Sequence, residues 1–168
     1  MDIHIIAGTC EIPVIEEFLL RLNNIASSHD ITVQAIDAGK TAGEEHIIAA
    51  VEKAVRATAR SCNISDDLGM EIMLYASGNR QIKRALAMGV RTGRNDVVII
   101  AVGENIPDVA KSELASLVVA ADVMKYRHEK RDTIVSFFGI TGSEIATVSE
   151  AKIPKLVLER VALMGLWK

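Results

Sequence analysis

The chain has 168 residues, of which 49% are hydrophobic and 24% charged. This length and apolar content predict one globular domain over residues 1–168 and exclude a disordered chain. The formal net charge of -3 excludes a protein that binds nucleic acid over its whole surface. A contact with RNA or DNA would therefore have to come from a local basic patch.

Cysteine content and hydropathy indicate a reduced, cytoplasmic protein. Cys10 and Cys62 are too few for a disulfide framework or a zinc site. The longest uncharged run, residues 133–143, is shorter than the roughly 20 residues that a membrane-spanning helix needs. Asp2 also does not fit the basic start of a signal peptide. We expect no membrane contact.

Three short apolar runs predict β-strands: Ile3 to Ala7, Ile31 to Ala38 and Asp96 to Val102. The third run is continuously apolar and rich in β-branched residues, which is typical of a strand buried on both faces.

The segments between these runs have helical periodicity. Thr41 with Glu44 and Thr141 with Glu144 have the spacing of capping boxes, which predicts helix starts at both places. Glycines at 78 and 89 are predicted to end two short helices. The predicted helices span residues 13–26, 41–60, 70–76, 80–87, 107–124 and 154–166. Strands alternating with helices predict an α/β fold in which a small, mostly antiparallel or mixed sheet packs with several helices.

The sequence offers no catalytic constellation. "GKT" at Gly39 to Thr41 lacks a P-loop glycine, because Gln34 stands where that glycine is required. The four histidines do not have metal-ligand spacing, and His46 is expected to pack inside a helix with its ring hydrogen-bonded. We therefore expect a protein that is not an enzyme and that uses no cofactor or metal.

Basic residues concentrate after the small-residue stretch "ASGN". Five of them, and no acidic residue, lie between Arg80 and Arg94. If residues 80–87 form one helix, then Arg80, Lys83 and Arg84 share one solvent-facing sector. Together with the backbone amides after Gly78, they could hold a phosphate or a nucleic-acid backbone. The alternative is a solvated helix face that is merely basic.

The C-terminal segment "IPKLVLERVALMGLWK" is apolar around most of its predicted helix. Such a helix needs cover on two sides. Either a central position in the core or a partner protein could provide this cover.

Three stretches, "GEEHIIAAVEKAVRA", "MEIMLYASGNRQIKRALAMGV" and "VLERVALMGL", resemble the family of the PRPK-binding protein, the small accessory subunit of the KEOPS complex. The ASG-x-RQI core, residues 76–82, is the most specific part of the resemblance. It implies a non-catalytic subunit of the machinery that places threonylcarbamoyl on a tRNA adenosine. Such a subunit would bind the atypical kinase subunit, contact the transferase subunit indirectly through it, and recruit tRNA by the 3′ CCA end.

Two sets of contact residues are expected, the first from the resemblance and the second from the apolar C-terminal helix. The expected RNA-binding residues are Ser77, Gly78, Asn79, Arg80, Lys83 and Arg84, and Tyr75 is a candidate for base stacking. The expected kinase interface is Leu158, Val161 and Leu163. Two alternatives remain open: a small α/β nucleotide-binding enzyme or regulator with its site near Gly39 and Gly78, and a purely structural kinase-binding module.

Overall fold

A computed structural model describes residues 1–166, which form two compact units. The sheet unit comprises residues 1–38 and 89–123, and the helical unit comprises residues 39–88 and 124–166. The predicted α/β fold with a small antiparallel sheet is confirmed. The assignment of a single domain to residues 1–168 stays a prediction.

Within residues 1–166, the sheet unit has a four-stranded antiparallel sheet in the order β2-β3-β1-β4. Its strands are β1 (Asp2–Ile12), β2 (Thr32–Asp37), β3 (Gly93–Gly103) and β4 (Val119–Ala120). β1 and β3 pair along their whole length, from Asp2 opposite Gly103 to Ile12 opposite Gly93. Residues 97–103 of β3 are all buried, which explains the continuous apolar run in the sequence.

Two helices cover one face of this sheet. α1 (Ile15–His29) turns Phe18, Leu22 and Ile25 inward, and α5 (Asp108–Ala115) contributes Ala110 and Leu114 to the same core. The predicted helix over residues 107–124 is wrong in its second half. That helix ends at residue 115, and Val119 and Ala120 pair as β4 with the middle of β1.

The helical unit consists of short helices packed around α2 (Glu44–Ala59). The others are α3 (Leu68–Ser77), α4 (Ile82–Leu86), α6 (Arg131–Phe138), α7 (Gly142–Val148) and α8 (Ile153–Met164). α2 packs against α3 and α8, and it buries Ile47, Val51 and Ala54. Residues 71–77 of α3 are all buried, so α3 is enclosed along most of its length.

The caps of these helices confirm some predictions and overturn others. The Thr141–Glu144 capping box is present, with Thr141 Oγ1 accepting from Glu144 N at 3.1 Å and Glu144 Oε2 accepting from Thr141 N at 2.7 Å. The Thr41–Glu44 box is wrong. Gly43 precedes the first residue of α2, and the buried Thr41 donates its hydroxyl to Met124 O at 3.3 Å. The Thr41 hydroxyl therefore bonds to a residue distant in the chain and does not cap α2.

Candidate functional site

Charge is divided unevenly between the two units. The sequence of the helical unit contains fourteen Lys and Arg against eleven Asp and Glu, a net charge of +3. The sheet unit contains four against eleven, a net charge of -7, and Lys168, which lies outside the described residues, completes the -3 of the whole chain. The overall acidity of the chain therefore conceals a basic unit, where a local patch for an anionic partner can form.

The first three predicted RNA-binding residues form the turn that ends α3. Ser77 is buried and donates its hydroxyl to Leu74 O at 2.9 Å. Gly78 closes the helix with a left-handed φ of 62°, as predicted, and Asn79 Oδ1 accepts from Gln81 N at 2.9 Å. A Cβ atom on Gly78 would lie 2.8 Å from the Cβ of Arg160. These residues set the shape of the turn.

The basic segment, defined as Arg80, Lys83 and Arg84, follows this turn. The helix predicted over residues 80–87 is present but shorter, because α4 spans Ile82–Leu86 and leaves Arg80 in the preceding loop. All three side chains are exposed. They therefore lie on one short stretch of chain but do not share a helix face as predicted.

Arg84 and Lys40 both contact Phe137, a residue of α6. The Arg84 guanidinium donates to Phe137 O at 3.4 Å and lies 5.8 Å from the centre of the Phe137 ring. Lys40 Nζ lies 5.1 Å from the same ring centre and donates to Ala87 O. These contacts fasten α4 to α6, so Arg84 has a structural role.

His46 holds the start of α2 against the end of α3. Its ring is buried, and Nδ1 accepts from Ala42 N at 3.1 Å while Nε2 donates to Ala76 O at 2.8 Å. This pattern requires a neutral ring with its proton on Nε2. Burial accordingly lowers the pKa of His46 to about 4. The expected packing role is confirmed, and its carbonyl partner directly precedes Ser77.

Glu71 fixes the loop between α2 and α3, a role that the sequence reasoning missed. This carboxylate is 1% exposed. It accepts from Ile64 N at 3.1 and 3.2 Å and from Ser65 N at 2.9 Å. A glutamate within the otherwise apolar stretch "MEIMLYA" is the signal that could have indicated a buried hydrogen-bonded carboxylate.

Two adjoining cavities of about 200 and 260 Å³ lie beside Tyr75 in the helical unit. We call them together the Tyr75 groove, since Cys62, Tyr75 and Gly165 line both. The first cavity is also lined by Lys53, Arg56, Ala57, Arg60, Ala162 and Leu166. The second is also lined by Asn63, Ile64, Glu71, Arg80 and Met164.

One wall of the Tyr75 groove is cationic. Lys53, Arg56 and Arg60 follow one another at spacings of three and four on α2 and its end, so they lie along one side of the helix. Burial raises the pKa of Tyr75, which keeps its phenol protonated at neutral pH. Among the six predicted RNA-binding residues, all of which the structure describes, Arg80 alone lines the groove, where it joins the stacking candidate Tyr75. The spacing in "EKAVRATAR" is the signal for this cationic wall.

The predicted kinase-interface residues on α8 differ in exposure. Val161 is 0% exposed and Leu158 is half-buried, whereas Leu163 is 38% exposed. Val161 is therefore a core residue that presents no surface to a partner, which corrects its assignment to the interface. The buried side of α8 packs against α2 and α3 and consists of Ile153, Leu156, Val157, Val161 and Met164.

Within residues 1–166, no cluster of three or more His, Cys, Asp or Glu side chains could hold a metal ion. None of the helices in this part of the chain combines the length and the hydropathy needed to cross a membrane.

A family model described as kinase binding protein CGI-121 matches residues 15–165. The chain belongs to the CGI-121 family. The match begins at the first residue of α1 and ends just after α8, so it includes residues of both units. The resemblance seen in the sequence is thereby confirmed at the level of the family. A search of curated proteins finds no match to this CGI-121 family member.

Proposed function

We propose that this protein is the non-catalytic accessory subunit of a KEOPS complex. In this role it binds the atypical kinase subunit, contacts the transferase subunit indirectly through that kinase, and recruits tRNA by its 3′ CCA end. The family description supports the kinase partner. The observation that carries the recruitment of tRNA is the basic character of the helical unit, with its net charge of +3.

The basic segment supplies the phosphate contacts in this proposal. Arg80 and Lys83 are exposed beside the turn at Gly78, whose small residues let an RNA backbone approach. Arg84 contributes charge while its guanidinium holds α4 to α6. His46 keeps the turn in place through Ala76.

The kinase interface in this proposal lies on the exposed side of α8. Leu163 is its most accessible predicted residue, and Leu158 is half-buried on the same helix. An exposed leucine beside a buried apolar helix face suits a protein partner better than an RNA.

A binding titration at controlled salt tests the recruitment of tRNA. Intact tRNA is compared with tRNA trimmed of its CCA end, using the wild type, Lys83→Glu and, as a charge-matched control, Arg21→Glu on α1 of the sheet unit. We expect affinity to fall on trimming and with Lys83→Glu, and to stay within about twofold with the control. Equal affinity for all tRNAs and variants contradicts the proposal.

The kinase interface is tested with the purified kinase subunit. Leu163→Asp should weaken binding by tenfold or more, about the effect expected for an interface side chain worth over 1 kcal/mol. Leu20→Asp, at a 58% exposed position on α1, is the control and should not weaken it. Unchanged binding by Leu163→Asp would remove α8 from the interface.

A further inference from the structure

We propose that the outer edge of β1 over residues 2–6, here called the open edge, docks an extended, basic segment of another protein as an added β-strand. The open edge belongs to the sheet unit, whereas the proposed contacts with tRNA and with the kinase belong to the helical unit. The inference therefore goes beyond the proposed function and does not depend on it.

β4 covers only a short part of β1. β1 has eleven residues and pairs with β3 along its whole length, but within residues 1–166 β4 pairs with only two of them. One more hydrogen bond, from Ala121 N to Ala7 O at 3.3 Å, lies next to this pair. Val123 N then donates to Ala121 O at 3.0 Å, and this tight turn ends the pairing. In the described part of the chain, residues 2–6 thus have no strand beside them on this side.

The open edge carries unpaired backbone groups at Ile3 and Ile5. Backbone groups alternate in direction along a strand, and Ala7 O points towards β4. The N–H and C=O groups of Ile3 and Ile5 therefore point to the same side as Ala7 O. Within residues 1–166, neither isoleucine makes a hydrogen bond on that side. Both N–H groups and both C=O groups are thus available to an added strand.

The side chains of the open edge favour the addition of a strand. Natural sheet edges are commonly protected by lysine, proline or a β-bulge. Residues 2–6 read "DIHII", without lysine or proline, and they pair with β3 in unbroken register. Ile3 and Ile5 share one face of the sheet and are each half-buried, so an added strand would cover more of both side chains. An unprotected apolar edge of this kind is typical of sites that bind an extended peptide by strand addition.

Charge indicates that the added strand is basic. The sheet unit has a net charge of -7. Asp2 lies on the open edge, and Glu104 directly follows Gly103, which pairs with Asp2. Arg94 lies opposite Glu11, roughly 30 Å further along β1. This end of the sheet therefore attracts a cationic segment.

Lys111 and His4 add little positive charge to this end of the sheet. Lys111 Nζ forms an ion pair with the Asp108 carboxylate at 3.9 Å. Burial and the nearby Lys111 lower the pKa of His4, so its ring is neutral at pH 7. A segment that contains lysine or arginine is therefore favoured. Nucleic acid and a second copy of this acidic sheet unit are both disfavoured by repulsion between like charges.

Hydrogen exchange of the wild type, followed by NMR, tests the open edge directly. The probe is a short capped peptide in which lysine and valine alternate, and the control is the same peptide with glutamate in place of lysine. Without peptide, the amides of Ile3 and Ile5 should exchange at least about tenfold faster than those of His4 and Ile6, which face β3. An excess of the lysine peptide should slow the exchange of Ile3 and Ile5 by about tenfold, and the glutamate peptide by less than about twofold.

A proline variant tests the same edge by affinity. Ile5→Pro removes an outward N–H group, and proline is tolerated on an edge strand where its nitrogen faces away from the sheet. This variant should weaken binding of the fluorescently labelled lysine peptide, measured by anisotropy, by about tenfold. Gly142→Pro is the matched control, because Gly142 is the first residue of α7, a position that proline favours. The control should stay within about twofold of the wild type.

The exchange data decide the outcome even if Ile5→Pro does not fold, because they come from the wild type. Slowed exchange at Ile3 and Ile5 with the lysine peptide alone supports the inference. Unchanged exchange, or equal slowing by the glutamate peptide, overturns it. Slow exchange of both amides without peptide also overturns it, since the edge is then already covered, and a dimer mass in solution would identify a second copy as the cover.

Undiminished binding of the lysine peptide by an Ile5→Pro variant that melts like the wild type would equally overturn the inference.

Discussion

Replacing His46 with leucine should destabilise the protein in a way that depends on pH. The change removes both ring nitrogens and leaves the buried Ala42 N and Ala76 O without their partners. An unsatisfied buried backbone group costs about 1–3 kcal/mol, so the two together should lower the free energy of unfolding by about 2–6 kcal/mol near pH 7.5.

Lowering the pH should shrink this difference. The pKa of His46 is lowered from 6.5 to about 4 in the folded protein. The unfolded chain therefore takes up a proton between these two values and the folded protein does not. His46 then stabilises the fold fully above about pH 6.5, and this contribution falls by about 1.4 kcal/mol per pH unit as the pH drops towards 4. At pH 4.5 the wild type should have lost about 2.5 kcal/mol through this residue.

Urea unfolding of the wild type and His46→Leu at pH 7.5 and 4.5 measures both effects. The difference in unfolding free energy between the two proteins should be smaller at pH 4.5 by about 2.5 kcal/mol. His128→Leu, at an exposed position, is the control and should change stability by less than about 0.5 kcal/mol. A difference that is the same at both pH values would refute the assignment of His46 as a buried neutral ring.

Three further predictions concern the helical unit. Glu71→Gln should lower the free energy of unfolding, measured with urea, by about 1–3 kcal/mol, because an amide cannot accept all three backbone hydrogen bonds of this carboxylate. Gly78→Ala should lower the free energy of unfolding by more than about 1 kcal/mol, because φ is 62° and the new Cβ would crowd Arg160. Gly142→Ala should leave this free energy nearly unchanged, and equal effects of the two substitutions would contradict the strain at Gly78. Hydrogen bonds from Arg160 lower the pKa of Glu144 to about 2, so its contribution to stability is present above about pH 4.5 and is lost as the pH falls towards 2. Carbon-detected NMR titration of the carboxyl in the wild type and in Arg160→Met should show this pKa rising in the variant, and an unchanged pKa would refute the ion pair.

Patterns of local sequence predicted the elements that local physics determines. β3 followed from a continuous β-branched run, and the end of α3 followed from Gly78, whose left-handed conformation suits glycine. The capping box at Thr141 was correct because both of its side chains bond to their own helix. In each case the deciding contacts lie within a few residues of one another in the chain.

Predictions that needed distant partners failed. Thr41 and Glu44 have capping-box spacing, yet Thr41 bonds to Met124 O, more than eighty residues away. The helix expected to reach residue 124 stopped at 115 because β1 offered the following residues an edge to pair with. Val161 looked available to a partner until the packing of α8 showed that it lies in the core.

The sequence alone determined the α/β class, the family and the position of the basic segment, because periodicity, capping and motif order depend only on the order and spacing of residues in the chain. Only the tertiary structure decided which side chains lie together. Arg56 lies on α2, Tyr75 lies on α3 and Gly165 directly follows α8, and they line one groove because these three helices pack together. It also decided that Arg84 fastens α4 to α6 and that His46 is neutral, since burial and hydrogen-bond partners depend on residues brought together by folding.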